Sequence, residues 1–263
     1  MNLYKITEQK LYYFKYSKNT IKTYLSVIYD FENNVCKHYS RLNSKDIQEY
    51  LDSYKFTSIS QQNQVISALK FAWEKGLGKK YLKIDFKRPR KEKKLPKVID
   101  AELLATKIKA ISNLKHRTIL TLGLSCGLRV SEVVNLKWSH LDRERNILNV
   151  VNGKGKKDRC TVLNDDTIKL FEIYWRKYKS KEYVFNGQFD IKYSTSSIQN
   201  IVKKYISPKA SFHLLRHAYG TFAIDNGTPI KPLSVSMGHN SVKTTEIYHH
   251  LSTNTLKTIK QAI

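Results

Sequence analysis

Between His213 and Tyr248 the chain gathers side chains that could do chemistry together. It reads His213-Leu-Leu-Arg216-His-Ala, then Met237-Gly238-His239, then Thr244-Thr245-Glu-Ile-Tyr248. Histidines and an arginine flank Tyr248, and the one carboxylate in these segments, the glutamate two positions before it, does not complete a metal site. That mix suits an anionic phosphate and a nucleophile that brings its own hydroxyl. A serine hydrolase would need a serine, a histidine and an acid instead. His213 and His217 stand four apart, a spacing that could hold zinc on a helix. The residue after His213 is leucine, so the metalloprotease His-Glu-x-x-His pattern is absent and no metal is expected. Asp165-Asp166 could suggest a magnesium nuclease, but they stand before a helical pattern and read better as its cap.

The chain that must position these residues has 263 of them and a formal net charge of +25. That length supports one large domain or two modest ones. A compact protein with this excess repels itself unless a polyanion is its usual partner, and nucleic acid is the leading candidate. A merely basic soluble protein is the plainer reading. The three cysteines, Cys36, Cys126 and Cys160, are odd in number and form no CxxC. They argue against a disulfide frame or zinc finger and for a reducing, cytoplasmic setting. The N-terminus lacks the apolar core of a signal peptide, and no apolar run approaches the ~20 residues a membrane span needs.

Residues 1–86 read as all-helical. A short helix precedes Ser17. Ser17 caps a second, with Ile21, Tyr24, Leu25, Ile28, Phe31 and Val35 on one face. Asn43 or Ser44 starts a third, with Ile47, Tyr50, Leu51 and Tyr54 inward. A fourth runs from Ser58 to Lys75, with Ile59, Ile66, Leu69 and Trp73 inward and Gly76 as its stop. Residues 87–97, KRPRKEKKLPK, form a basic linker in which Pro89 and Pro96 forbid a continuous helix. Arg88, Arg90, Lys91, Lys93 and Lys94 could strap a DNA backbone through salt-sensitive contacts; a charged flexible spacer is the alternative.

Residues 98–263 change pattern. Asp100 caps a helix with Leu103, Leu104, Ile108 and Ile111 inward. An apolar helix follows and ends at Gly127. Two strand-like segments, 146–151 and 159–163, flank Asn152-Gly-Lys154-Gly, whose glycines fit a tight hairpin that can lie against a ligand. Helices resume near Ile168 and near Ile198. Tyr205 and Tyr219 read as helix-packing residues.

Together these motifs resemble the tyrosine recombinases, the family of phage integrases and Xer-type recombinases. The family's first arginine sits in Gly-Leu-Arg-x-Ser-Glu, here Gly127-Leu128-Arg129-Val-Ser131-Glu132. Its hairpin lysine sits in Gly-Lys-Gly, here Lys154. Its His-x-x-Arg is His213 to Arg216, its third basic site is His239, and its nucleophile is Tyr248. The resemblance implies a mainly α fold with a small antiparallel β-sheet. An all-helical core-binding domain would precede an α+β catalytic domain. It implies that Arg129 and Arg216 clamp the two non-bridging oxygens of a phosphodiester, which become more negative during attack. Tyr248 would form a 3′-phosphotyrosine link, helped by His213 as base or proton relay. His239 would donate to a phosphate oxygen, and Lys154 would protonate the leaving 5′-oxygen. Glu132 would hold Arg129. No cofactor is implied. The implied partners are double-stranded DNA with an inverted-repeat site and a homotetramer that exchanges strands through a Holliday junction, with the C-terminal tail docking on a neighbour or on its own domain. No arm-binding domain is expected before the helices. Lys231-Pro232 falls in the helix before His239 and implies a kink or a short helix there. Two other readings stay open: a type IB topoisomerase that relaxes DNA, and a non-catalytic DNA-binding protein of the same fold.

Overall fold

The computed structural model describes residues 2–80, 84, 100–151, 158–188, 192–239 and 241–249. Lys154, the linker cations Arg88, Arg90, Lys91, Lys93 and Lys94, and the tail after residue 250 lie outside the described residues. The chain divides into two compact units, Met1–Lys94 and Leu95–Ile263, and the division falls inside the basic stretch 87–97.

Among the described residues the first unit holds four α-helices: α1 (Leu3–Tyr13), α2 (Lys18–Val35), α3 (Ser44–Ser53) and α4 (Ile59–Phe71). Each begins where a side chain accepts an orphan N–H of the first turn. Asn2, Ser17, Asn43 and Ser58 do this work, and Asn43 forms a reciprocal capping box with Asp46. The core is built from Ile28, Phe31, Ile47, Leu51, Ile66 and Leu69, with Val65 and Trp73 beside them. Each such side chain contributes about 1.5–3 kcal/mol by leaving water. Tyr50 donates to Asp30 Oδ2 at 2.5 Å and so ties α3 to α2. Ile59 does not point inward as expected; it is 38% exposed. It is the first residue of α4, before the buried stripe that opens at Val65. The helix widens into a π-turn over Ala72–Gly76 and ends at Gly76, the expected stop.

The second unit holds α5 (Ala101–Lys109), α6 (Leu114–Ser125), α7 (Val130–Val134), β1 (Leu141–Asp142), β2 (Ile147–Val150), β3 (Arg159–Val162), α8 (Asp165–Tyr178), α9 (Thr195–Tyr205), α10 (His213–Asp225), α11 (Ile230–Met237) and α12 (Glu246–His249). The strands form one antiparallel sheet in the order β1-β2-β3, with Leu148 opposite Thr161 and Val150 opposite Arg159. Leu148 and Val150 alternate into the core, and Arg159 and Thr161 share the less exposed face of β3. The core runs through Ile119, Leu120, Leu122, Leu128, Phe171 and Leu215. Leu103, expected inside, is 54% exposed, because the buried row of α5 is Leu104 and Ile108, and the neighbouring position turns about 100° away. Asn164, not Asp165 or Asp166, caps α8; the two aspartates occupy its first turn, where the helix dipole favours them. No described helix is long and apolar enough to cross a membrane.

Candidate active site

Arg129 precedes the short helix α7, and Glu132 lies in its first turn. Glu132 accepts the Arg129 backbone N–H through Oε2 and Arg129 Nη1 through Oε1, both at 2.8 Å. Backbone and side chain of the arginine are therefore held by one carboxylate. Arg129 Nη2 donates to the Gly238 carbonyl at 2.7 Å. Glu132 serves a second guanidinium as well. Arg159, from β3, donates Nη2 to Glu132 Oε2 at 2.5 Å and Nη1 to the Ser236 carbonyl at 2.8 Å.

Arg216 lies one turn into α10 and is 1% exposed. Its Nη1 donates to the Gly127 carbonyl at 2.5 Å and its Nη2 to the Met237 carbonyl. Two backbone carbonyls thus bracket the fork, and no carboxylate among the described residues pairs with it. Burial, then Arg129 and Arg159, push its pKa down to about 10, which leaves it charged at neutral pH. Its Nε, the Nε of Arg159 and Nδ1 of His217 are buried without a hydrogen-bond partner among the described residues.

Both clamps close on the turn Met237-Gly238-His239. Pro232 sits in the first turn of α11, where a missing N–H costs nothing, so the helix is short and not broken. Gly238 ends it at φ 62°, with its N–H and that of His239 returning to Val235 and Ser234. A Cβ there would stand 2.6 Å from Arg159 Cδ as well as strain the backbone. Glycine is needed for both reasons.

Tyr248 is 2% exposed and packs with Ile224, Leu233 and Met237. Its ring rests on α10 at Gly220, where a Cβ would meet Tyr248 Cζ at 2.7 Å. The His239 ring lies nearly parallel to it, 6.3 Å between centroids at 12°, and His217 stands 5.7 Å away. Burial raises the phenol pKa, and Arg216 and Arg129 oppose that rise. His239 Nδ1 lies 2.7 Å from Thr245 Oγ1. Burial, then Arg216 and Arg129, push His239 down to about 4. His213 opens α10 and is exposed as a residue, but its ring packs edge-on to His217 at 4.4 Å; the desolvation this brings, then His217 and the arginines, lower its pKa likewise. Both rings are neutral at pH 7.

Among the described residues, three guanidiniums and a single carboxylate leave two uncompensated positive charges in this cluster. Such a site is poised for an anion, because buried cations without counter-ions are costly until one arrives. Among the described residues no group of three histidine, cysteine, aspartate or glutamate side chains is gathered for a metal. Arg129, Glu132, Arg216, His239 and Tyr248 meet in this one place, and His213 lies at its edge; Lys154 is outside the described residues. Asp165 and Asp166 are on the first turn of α8. Arg159 was not singled out from the sequence. Its signal would have been an arginine directly after the basic hairpin, on the inward register of a strand.

Residues 97–255 match the phage integrase family, and residues 3–83 match the phage integrase N-terminal SAM-like domain. The chain is 32% identical over 253 residues to the tyrosine recombinase XerA of Pyrococcus horikoshii, covering 92% of this chain and 86% of that protein. A crystal structure of XerA recombinase is 28% identical, with a TM-score of 0.55 over 97% of this chain and 95% of that one. The XerH site-specific recombinase bound to palindromic difH substrate shares the fold at a TM-score of 0.71 and 19% identity, over 90% of this chain and 78% of its own. The chain belongs to the phage integrase family and is a Xer-like tyrosine recombinase, with a SAM-like helical domain preceding its catalytic domain.

Proposed function

We propose that this protein recombines DNA at specific sites, with Tyr248 as the nucleophile that breaks and rejoins each strand. The observation that carries the reading is the convergence of Arg129, Arg216, His239 and Tyr248 on one turn with two positive charges left over. A phosphodiester brings one negative charge, and attack builds a second. Fixed guanidinium donors aimed at that growing charge favour the transition state over the ground state. Arginine is required here because it stays charged and forks onto two oxygens.

In the reaction Tyr248 Oη bonds to phosphorus, and the bond from phosphorus to the 5′-oxygen breaks. His213, neutral at pH 7, takes or relays the phenol proton. Lys154 protonates the departing 5′-oxygen. His239 donates to a non-bridging oxygen, and Glu132 keeps Arg129 in place. The phosphotyrosine retains the bond energy, so a 5′-hydroxyl from a partner strand reverses the step without ATP. Arg88, Arg90, Lys91, Lys93 and Lys94 add sequence-indifferent grip on the backbone. The domain plan is a core-binding domain over 1–86, a linker over 87–97 and a catalytic domain over 98–263.

XerH is bound to a palindromic substrate, which offers one half-site twice. Two copies of this chain on an inverted repeat, and four across two synapsed duplexes, follow the same symmetry. The protein then works on DNA in the cytoplasm as a homotetramer that passes through a Holliday junction. The test starts from duplexes the protein retains from a randomised pool. Plasmids carrying two copies of the selected sequence should yield recombinant products in direct or inverted arrangement. Relaxation of any supercoiled plasmid, without site dependence or exchanged products, would overturn the reading.

A further inference from the structure

Thr245 touches both His239 and Tyr248. Its carbonyl accepts the Tyr248 N–H at 3.0 Å, its own N–H donates to Val242 at 2.7 Å, and its hydroxyl lies 2.7 Å from His239 Nδ1. The side chain is wholly buried. Its neighbour Thr244 is exposed.

His239 is neutral at pH 7, so it carries one N–H, and where that proton sits decides what the ring can do. Two arrangements fit a 2.7 Å contact. If Nδ1–H donated to Thr245, the threonine hydroxyl proton would need another acceptor. Thr245 Oγ1 has no other hydrogen-bond partner among the described residues, and a hydroxyl this deeply buried is rarely left with its proton unpaired. If the hydroxyl donates into Nδ1 instead, both groups are satisfied and the ring proton is forced onto Nε2.

We propose that Thr245 is a positioning residue that fixes His239 as its Nε2–H tautomer through the Thr245 hydroxyl to His239 Nδ1 bond. This rests on the recombinase reading and deepens it. A neutral ring with its proton on Nε2 is a hydrogen-bond donor to phosphate oxygen, not a base. Its parallel placement beside the Tyr248 ring keeps that donor next to the nucleophile, while the Thr245 carbonyl holds the tyrosine backbone. Donor and nucleophile therefore share one support, and an error in the threonine side chain is felt at the donor alone.

The experiment uses the full chain and two variants. Thr245→Val keeps the shape and removes the hydroxyl, and Thr245→Ser restores it. Long-range proton–nitrogen NMR of the free protein at pH 7 reports which ring nitrogen of His239 carries the proton. The expected result is Nε2–H in wild type and Thr245→Ser, with a mixed or reversed pattern in Thr245→Val. Wild type showing Nδ1–H overturns the proposal without any variant having to fold. Single-turnover cleavage of a nicked duplex should fall about tenfold or more in Thr245→Val, return to within about threefold in Thr245→Ser, and leave DNA affinity unchanged. An unchanged tautomer in Thr245→Val overturns the proposal too. The recombinase reading fails differently: cleavage is then absent from wild type, while the NMR pattern still reports on Thr245.

Discussion

Gly220→Ala should damage cleavage far more than it damages folding. Alanine in the middle of a helix ordinarily stabilises it by about 1 kcal/mol relative to glycine. Here the added carbon would stand 2.7 Å from Tyr248 Cζ and 2.8 Å from both Cε atoms. Carbon atoms rest at about 3.5–4.0 Å, so the ring must withdraw by about 1 Å, or α10 must shift by as much. Overpacking of this kind costs about 1–3 kcal/mol. Set against the propensity gain, the net loss of stability is about 0–2 kcal/mol. A nucleophile displaced by 1 Å, however, loses about 10²-fold in rate. The assay is single-turnover cleavage of a nicked duplex under saturating protein, with the melting temperature and DNA affinity measured beside it. A folded Gly220→Ala protein that cleaves within about threefold of wild type would refute the reasoning, because Tyr248 would then react from somewhere other than its shelf on α10.

Other consequences can be measured in the same system. Arg129→Lys should bind DNA nearly as well as wild type yet cleave at least about 10²-fold more slowly, since lysine cannot serve Glu132, Gly238 and a phosphate oxygen from one fork. Glu132→Gln removes the one anion between Arg129 and Arg159 and should cost about 3–5 kcal/mol in urea denaturation; a loss below about 1 kcal/mol would mean the pair is not held by that carboxylate. Stability should also fall with acid. His239 has its pKa lowered to about 4, below the unfolded value of about 6.5, so the unfolded chain binds more protons between those values. Its contribution is whole above about pH 6.5 and is lost as pH falls toward 4, amounting to about 2 kcal/mol between pH 7 and pH 5. Urea titrations at the two pH values should show this difference, and His239→Gln should shrink it.

Much of this protein is legible from local chemistry. Ser17, Asn43, Ser58 and Asp100 announce helix starts because a cap bonds only to its own first turn, and all four cap helices here. Ile59 misleads because it opens α4 ahead of the buried stripe, and Leu103 because its neighbour Leu104 takes the inward position; which helical positions are covered depends on helices remote in sequence. The strand Leu141–Asp142 has two residues and no alternation to read. At the site, the motif residues announce themselves by type and order. Arg159 does not, since its partner Glu132 lies 27 positions away and neither residue has a local pattern that betrays the pair. Gly220 looks like an oddity in a helix until the Tyr248 ring is seen lying on it.

The most direct test is chemical. Wild-type protein, incubated without added metal on a duplex nicked just beyond the cleavage point, should form a stable covalent adduct as the short 5′-hydroxyl fragment diffuses away. Peptide mapping of that adduct should find the DNA 3′-phosphate on Tyr248, and Tyr248→Phe should form none. DNA attached to any other residue, or an equal yield of adduct from Tyr248→Phe, would contradict the account.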